Sequence, residues 1–283
     1  MDTAEIKKLL QDQKIRPRKG LGQNFLVAKP ILQKIIAASS LKNGDTVLEV
    51  GPGLGILTKA LAEKAKKVVA VEKDHQLVEL LEGLTVGMKN IEIIHGDILT
   101  LQHSNIPSLQ HSYKLVANLP YYITSPVIRM FLEAKVQPRV MVLMVQKEVA
   151  QRICAKPPRM NLLAVSVQAY AKPEIVSIVP KNAFWPQPKV DSAILKLTPY
   201  PTMRKIYDRR DFTRWFFAVV RAGFKQPRKQ LGGNLAKGLS KVRPCSKEDM
   251  VETLSQLGIN PAARAETLSI EDWLKLAKLL SKK

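Results

Sequence analysis

Cysteine and histidine are scarce in this 283-residue chain, which has two cysteines and four histidines. Cys154 and Cys245 lie far apart without a C-x-x-C spacing. This usage is typical of a reducing compartment and predicts neither a disulfide framework nor a zinc site. The histidines likewise have no further ligand at metal-binding spacing. We therefore expect no metal in the chemistry of this protein.

Long apolar segments are absent as well. No run approaches the roughly 20 residues that a membrane helix needs, and residues 1–20 have no apolar core of the signal-peptide type. We therefore expect a cytoplasmic protein with no membrane association. Its 46% hydrophobic and 24% charged residues exclude a disordered chain. Its length predicts about two domains.

Acidic residues are outnumbered: 24 Asp and Glu stand against 45 Lys and Arg, a formal net charge of +21. A surplus of this size favours polyanionic partners, with nucleic acid as the first candidate. Residues 7–34 hold eight basic residues and one acid, and residues 204–247 hold thirteen basic residues and two acids. The sequence thus predicts two basic surfaces on either side of a less charged middle.

That middle alternates strand-like apolar runs with helical periodicity, which predicts an α/β fold with a doubly wound parallel sheet. The predicted strands are 46–50, 68–72, 91–97, 114–119 and 139–145, and the predicted helices include 57–64, 75–84 and 126–134. After residue 172, prolines punctuate short extended runs at 174–179 and 192–198, which we expect to close the sheet with antiparallel strands. Helical periodicity returns from residue 212, so we expect one domain over 1–204 and a smaller all-helical domain over 205–283.

A glycine-rich turn follows the first predicted strand. Gly51, Gly53 and Gly55 would let the backbone approach a ligand closely, and Glu72 ends the next strand, where a carboxylate can accept ribose hydroxyls. The dinucleotide fingerprint would place a third glycine at position 56, which is Ile56, and this difference favours S-adenosylmethionine over a dinucleotide. Asp97, after the third strand, could accept the adenine amine. The alternative is that the glycines serve helix packing and the acids are solvated strand ends.

The segment Asn118-Leu119-Pro120-Tyr121 follows the fourth strand and so lies at the same sheet edge. The exocyclic amine of a base is a poor nucleophile because its lone pair is delocalised into the ring. The Asn118 amide oxygen and the Leu119 carbonyl can accept the two amine hydrogens, Pro120 stiffens the turn, and Tyr121 offers a stacking surface. Phe184 could stack on the other face of the base. A plain turn, with core packing of Phe184, is the alternative interpretation.

With these motifs, the chain resembles the ribosomal RNA adenine dimethyltransferases of the KsgA type, which are Rossmann-like class I enzymes that use S-adenosylmethionine. Besides the glycine turn, Glu72, Asp97 and the Asn118 motif, the resemblance covers GQNFL at 22–26, VQKEVA at 145–150, residues 184–192, FAVVRAGF at 217–224 and RAE at 264–266. It implies that the cofactor site is formed by Asn24, Leu26, Gly51, Gly53, Glu72, Asp97 and Asn118. It implies that the target adenine is held by Asn118, Leu119, Pro120, Tyr121 and Phe184.

The resemblance also implies the substrate. It would be two adjacent adenosines in the loop of the 3′-terminal hairpin of small-subunit rRNA, each dimethylated within an assembling 30S particle. Arg221, Lys225, Arg228 and Lys229, together with Lys237, would contact RNA phosphates. One active site per chain needs no second subunit, so we expect a monomer.

Three other classes compete with this interpretation. A related enzyme methylates large-subunit rRNA and confers macrolide resistance, and the helical sequence from Phe217 onward argues against it. A non-catalytic RNA-binding factor would not need an intact Asn118 motif and glycine turn. A nicotinamide-dependent oxidoreductase is disfavoured by Ile56 and by the positive charge.

Overall fold

The computed structural model describes residues 1–101, 106–109, 111–200, 210–240 and 245–282. The strands are β1 (Phe25–Leu26), β2 (Thr46–Val50), β3 (Lys67–Glu72), β4 (Ile91–His95), β5 (Lys114–Asn118), β6 (Met141–Gln146), β7 (Ala171–Val179), β8 (Phe184–Trp185) and β9 (Ser192–Pro199). The helices are α1 (Thr3–Asp12), α2 (Lys29–Ser39), α3 (Ile56–Ala62), α4 (His75–Leu84), α5 (Thr124–Leu132), α6 (Lys147–Ile153), α7 (Leu162–Gln168), α8 (Arg210–Gly223), α9 (Leu231–Leu239), α10 (Lys247–Gln256) and α11 (Ile270–Lys282).

The chain forms two compact units, and each unit is discontinuous in sequence. Unit 1 comprises Met1–Ala150 and Pro173–Pro199, and unit 2 comprises Gln151–Lys172 and Tyr200–Lys283. The predicted domain boundary between residues 204 and 205 lies outside the described residues. Residues 151–172, which we expected in the first domain, belong to unit 2, where Tyr170 stacks on Phe217 and the Met160 N–H donates to the Glu266 carbonyl.

Unit 1 contains a seven-stranded sheet in the order β4-β3-β2-β5-β6-β9-β7. Strands β2 to β6 are parallel, with Thr46 opposite Lys67 in the β2–β3 pair and Leu48 opposite Leu115 in the β2–β5 pair. The chain moves outward in one direction from β2 through β3 to β4, then crosses back to β5. The carboxyl ends of β2 and β5 therefore border a topological switch point, the place where open α/β sheets bind ligands.

Each predicted strand and helix named for this middle region is present, with differences of a few residues at the ends. The predicted strand 91–97 ends at His95, because Asp97 enters a turn in which its Oδ1 accepts the Leu99 N–H at 2.9 Å. The expected antiparallel closure is confirmed by β9, which pairs with β6 so that Met141 lies opposite Leu197.

A second, two-stranded sheet was not predicted. In it β1 pairs antiparallel with β8, so that Phe25 lies opposite Trp185 and Leu26 opposite Phe184. Each strand has two residues, too few for a periodic signal in the sequence. This ribbon joins the N-terminal segment to a segment about 160 residues later in the chain.

The core of unit 1 is formed by apolar residues from the sheet and the helices that cover it. It includes fully buried Val47, Val68 and Val116 on neighbouring strands, and Ile35 of α2 and Leu61 of α3 on the helices. Strands buried on both faces explain the continuous apolar runs in the sequence.

Among its described residues, unit 2 contains helix α7 and, toward the C-terminus, helices α8 to α11. Trp273 of α11 is fully buried and stacks on Phe224 with 5.5 Å between the ring centroids. The Asn234 side chain donates to the carbonyls of Gly223 and Gln226 at 2.9 Å each, and so fixes the turn between α8 and α9. The predicted return to helical structure is confirmed.

None of the described helices has the length and apolar character needed to cross a bilayer. In the same part of the chain, no group of three or more His, Cys, Asp and Glu side chains is placed to hold a metal ion.

Candidate active site

A cavity opens at the carboxyl edge of the sheet of unit 1, at the switch point between β2 and β5. Its walls come from the glycine turn after β2, the ends of β3 and β5, the loop after β4, and the N-terminal segment before α2. The predicted cofactor and target residues that line it are Asn24, Leu26, Gly51, Gly53, Glu72, Asp97, Asn118, Leu119, Pro120, Tyr121 and Phe184. Topology therefore collects into one cavity residues that are up to 160 positions apart in sequence.

The glycine turn has left-handed backbone, as at Gly53 with φ +56°. A Cβ at Gly53 would lie 3.2 Å from two atoms of the Phe25 ring. The space created by this glycine is thus occupied by a side chain of the N-terminal segment. At Gly53 the absent side chain therefore allows packing within the protein. Any contact of this turn with a ligand would come from its backbone N–H groups and from neighbouring side chains.

Glu72 is 7% exposed and is fixed by three backbone donors. Its Oε1 accepts the N–H groups of Lys73 and Asp74 at 2.9 Å each, and its Oε2 accepts the Gly53 N–H at 3.1 Å. A carboxylate offers about four lone-pair positions, so one remains, on Oε2. Burial raises the pKa of Glu72, and the three hydrogen bonds oppose that rise. The carboxylate as placed keeps acceptor capacity on Oε2 for a ribose hydroxyl.

Asp97 lies at the cavity edge and forms an ion pair with Lys73. The Lys73 Nζ is 2.9 Å from Asp97 Oδ2, and this hydrogen bond lowers the pKa of Asp97 below its ordinary value. The Leu99 N–H occupies Oδ1. Asp97 is therefore an ionised acceptor with one bond already made on each oxygen, and it retains capacity for an amine donor.

Glu49 on β2 also lines the cavity, and sequence analysis missed it. Its side chain is 1% exposed, and its Oε2 has no hydrogen-bond partner among the described residues. Burial, reinforced by the negative charge of Glu72, raises the pKa of Glu49 to about 8, while the nearby Thr58 hydroxyl acts in the opposite direction. Neither Thr58 Oγ1 nor Glu49 Oε2 makes a hydrogen bond of standard geometry. Glu49 is a third acid in the site, and a charged residue within the otherwise apolar β2 (Thr46–Val50) is the sequence signal that could have found it.

The Asn118 carboxamide is held in one orientation by the N-terminal segment. Its Nδ2 donates to the Asn24 carbonyl at 3.0 Å, and the Asn24 side chain in turn donates to the Gly22 carbonyl at 3.0 Å. The Asn24 carbonyl can only accept a hydrogen bond, so the Asn118 atom that faces it must be Nδ2. Asn118 Oδ1 therefore points to the other side. Asn118 Oδ1 accepts no hydrogen bond from the described residues and is available to a ligand amine.

Tyr121 follows the turn at Pro120 in the short 3-10 helix Tyr121–Ile123. Its hydroxyl lies 2.8 Å from the Oγ of Ser192, the buried first residue of β9. Burial raises the pKa of Tyr121, so its phenol is neutral at physiological pH and is not a base. The next residue, Tyr122, also lines the cavity and is 53% exposed at its mouth.

Phe184 is 4% exposed and packs in the core cluster of unit 1 with Leu26, its partner across the β1–β8 ribbon. It nevertheless contributes to the cavity wall. Core packing of Phe184 is thus observed, and contact with a ligand stays a prediction that its place in the cavity wall permits.

Gln23 anchors the N-terminal segment, a role that sequence analysis did not assign. Its Nε2 donates to Asp74 Oδ2 at 2.8 Å, and its Oε1 accepts the Arg18 N–H at 2.7 Å. The Arg18 guanidinium also lies 3.3 Å from Asp74 Oδ1. Asp74 caps α4, so the segment that carries Asn24 is fastened to the same strand end that carries Glu72.

The predicted RNA-contact residues are in unit 2 and do not line this cavity. Arg221, Lys225, Arg228 and Lys229, and also Lys237, are exposed, and none forms an ion pair with an acid in the described part of the chain. Their charges are therefore unneutralised.

The parallel sheet with its switch-point cavity, the closing antiparallel strands and the C-terminal helices define a Rossmann-like methyltransferase, as expected. The sequence pattern of the ribosomal RNA adenine dimethylase family matches residues 14–282, and the chain belongs to this family. Its predicted enzyme class, rRNA adenine dimethyltransferase, is confirmed.

Individual relatives agree with this assignment. The chain is 48% identical over 274 residues to ribosomal RNA small subunit methyltransferase A of Dehalococcoides mccartyi (strain BAV1), covering 96% of this chain and 91% of that protein. It is 44% identical over 271 residues to the protein of the same name from Caldanaerobacter subterraneus subsp. tengcongensis, covering 94% and 98%.

Two solved structures share the fold over most of the chain. A dimethyladenosine transferase from Plasmodium falciparum superposes with a TM-score of 0.77 at 28% identity, covering 91% of this chain and 98% of that one. The 23S rRNA methyltransferase ErmE superposes with a TM-score of 0.71 at 26% identity, covering 91% and 100%. The ErmE match must include most of the C-terminal helices, so these helices do not by themselves argue against a large-subunit enzyme.

Proposed function

We propose that this protein uses S-adenosylmethionine to dimethylate two adjacent adenosines in the 3′-terminal hairpin loop of small-subunit rRNA, within an assembling 30S particle. The observation that carries the proposal is the Asn118 carboxamide, fixed by Asn24 with Oδ1 free beside a buried acidic cavity.

The residues present fit this cofactor. Glu72 retains one acceptor position for a ribose hydroxyl, and Asp97 retains acceptor capacity for the adenine amine. Asn24, Leu26, Gly51, Gly53 and Asn118 complete the wall. When bound, S-adenosylmethionine supplies an electrophilic methyl group on a sulfonium.

The chain itself orients the nucleophile. Asn118 Oδ1 and the Leu119 carbonyl accept the two hydrogens of the adenine amine, so the nitrogen lone pair turns out of conjugation with the ring. These two oxygens would also stabilise the positive charge that develops on the amine nitrogen when it takes the methyl group. The remaining acceptor positions of Glu72 and Asp97 are taken by the cofactor and Tyr121 is a neutral phenol, so the proton leaves to solvent afterwards. A second round adds the second methyl group.

The substrate context follows from the resemblance and from the charge. The curated relatives named above are called small subunit methyltransferases, and the five exposed cations of unit 2 suit RNA phosphates. A protein that acts on assembling subunits works in the cytoplasm, and one complete cavity in one chain suffices for a monomer.

The deciding experiment incubates the purified protein with labelled S-adenosylmethionine and undermethylated small subunits, with large subunits in parallel, followed by nucleoside analysis. We expect dimethyladenosine in the small-subunit rRNA only. Label in large-subunit rRNA would assign the chain to the class that includes ErmE, and unlabelled rRNA in both would contradict the proposal.

The role of Asn118 is tested by Asn118→Ala. Loss of its amide oxygen should lower the single-turnover rate about 100- to 1000-fold, the usual effect of removing one such group, while binding to the subunit stays close to wild type. Asn43→Ala, at an exposed loop position, is the control and should be fully active. An Asn118→Ala protein with wild-type turnover would remove this residue from the reaction.

A further inference from the structure

A second concave surface on unit 1 carries positive charge and one aromatic ring. It lies between α1, the turn that follows α1, and β8, and we call it the α1 depression. It is lined by Lys7, Lys14, Arg16 and Trp185, with Leu10 and Ile15 beneath them. It shares no lining residue with the cavity described above.

The cations of the α1 depression are not neutralised by the protein. Lys7, Lys14 and Arg16 are all exposed, and within the described ranges none of them is paired with an acid. Three unpaired cations on one concave surface repel each other and attract a polyanion. These three cations belong to the first basic segment of the sequence, residues 7–34, and none of them lines the proposed active site.

Trp185 supplies a partly exposed ring within this charge. The Lys7 Nζ lies 5.8 Å from its ring centroid, a cation–π distance. Successive residues of a strand face opposite sides, so Trp185 faces α1 while the preceding Phe184 faces the cofactor cavity. The α1 depression therefore begins one residue from the wall of the active site. An aromatic ring among cations is the usual surface for an unstacked nucleotide.

Lys14 has a left-handed backbone with φ +53°, where glycine is the usual residue. The turn it forms is regular: the Ile15 N–H donates to the Leu10 carbonyl at 2.8 Å. No hydrogen bond or ion pair of the described structure uses the Lys14 ammonium. The chain thus keeps a lysine at a position that glycine would suit better, and its ammonium is available to a ligand.

We propose that the α1 depression binds the RNA strand next to the methylated adenosines, with Lys7, Lys14 and Arg16 on phosphates and Trp185 against one unstacked base. The proposal rests on the proposed function for the identity of the RNA. An acidic protein segment is the competing occupant, and it would use the cations without stacking on the indole.

Lys14→Gly provides a test in which stability and binding change in opposite directions. Glycine relieves the left-handed backbone, so the melting temperature should not fall. Affinity for undermethylated small subunits should fall about three- to tenfold near 0.1 M salt, and the slope of log K against log salt should become less negative by about 0.7 to 0.9, because one phosphate contact is lost.

The matched control is Ser40→Gly. Ser40 is the other described non-glycine residue with positive φ, at +47°, and it is exposed at the end of α2. It should match Lys14→Gly in stability and match the wild type in affinity and salt slope. A Lys14→Gly protein that binds subunits like Ser40→Gly would overturn the proposal.

The stacking contact is tested by fluorescence. The emission of Trp185 is obtained as the difference between the wild type and Trp185→Phe, and it should be quenched by oligouridylate but not by polyglutamate. Trp185→Phe should keep subunit affinity, and Trp185→Leu should lower it. Equal quenching by both polymers would overturn RNA stacking in favour of an acidic protein segment.

The two proposals fail separately. If the wild type forms no dimethyladenosine, the proposed reaction fails, while the affinity difference between the two glycine variants still decides the α1 depression. If dimethyladenosine forms and Lys14→Gly binds normally, only the inference about the α1 depression fails.

Discussion

The buried carboxyl of Glu49 should cost the ligand-free protein stability at neutral pH, and Glu49→Gln should remove that cost. Raising the pKa from 4.5 in the unfolded chain to about 8 in the folded one costs about 1.4 kcal/mol per pKa unit. The resulting loss of unfolding free energy is about 3 kcal/mol at pH 7 and about 5 kcal/mol above pH 8. The sign follows from proton binding: between pH 4.5 and 8 the folded protein holds a proton that the unfolded chain has lost, so stability falls as pH rises.

Urea denaturation from pH 5 to pH 8 measures this effect as the difference in unfolding free energy between Glu49→Gln and the wild type. The difference should grow by about 1.4 kcal/mol per pH unit across this range and level off above it. Burying the uncharged glutamine amide should change the unfolding free energy by the same amount at every pH. The dependence of the difference on pH is therefore the quantity that tests the prediction. Glu82→Gln, at an exposed helix position, is the reference for replacing a carboxylate. A difference that does not vary with pH would refute the assignment of Glu49 as a protonated, desolvated acid.

Further predictions concern the cofactor, the RNA and the glycine turn. Glu72→Ala should weaken S-adenosylmethionine binding about 10- to 100-fold by calorimetry, because a charged hydrogen-bond acceptor is lost; unchanged affinity would mean that the ribose contact is wrong. Replacing both Arg221 and Arg228 by Gln should make the salt slope of subunit binding less negative by about 1.4 to 1.8; an unaltered slope would return them to a solvated surface. Gly55→Ala should destabilise unit 1 by about 1 to 3 kcal/mol in urea, because φ is +71° and a Cβ would meet Leu81; wild-type stability would show that the turn can relax.

The N-terminal segment contacts the Asn118 side chain, the glycine turn and the strand of Phe184, which are three separate parts of the candidate site. Asn24 holds the Asn118 carboxamide, Phe25 packs over Gly53, and β1 pairs with the strand that contains Phe184. Gln23 fastens the segment to Asp74 at the start of α4. Orientation of the Asn118 amide therefore depends on a segment that precedes the first strand of the main sheet.

Local pattern was sufficient where one element carries its own signal. Helix α4 was predicted over 75–84 and has the same bounds, because an apolar face repeats along it and Asp74 caps it. Strand β4 was predicted two residues too long, because its apolar run gives no warning that Asp97 turns back on its own backbone. Strands β1 and β8 have no local signal, since their pairing depends on residues about 160 positions away.

The sequence by itself determined the alternating sheet, the positive charge and the polar residues at or just beyond the strand ends, because periodicity, composition and motif spacing are local properties. Tertiary structure decided which groups those residues meet. It left Glu72 with acceptor capacity on Oε2, buried Glu49 with no hydrogen bond to its Oε2 from the described residues, and turned the Asn118 oxygen away from Asn24. Burial and hydrogen-bond partnership depend on contacts between distant segments, and these exist only once the chain has folded.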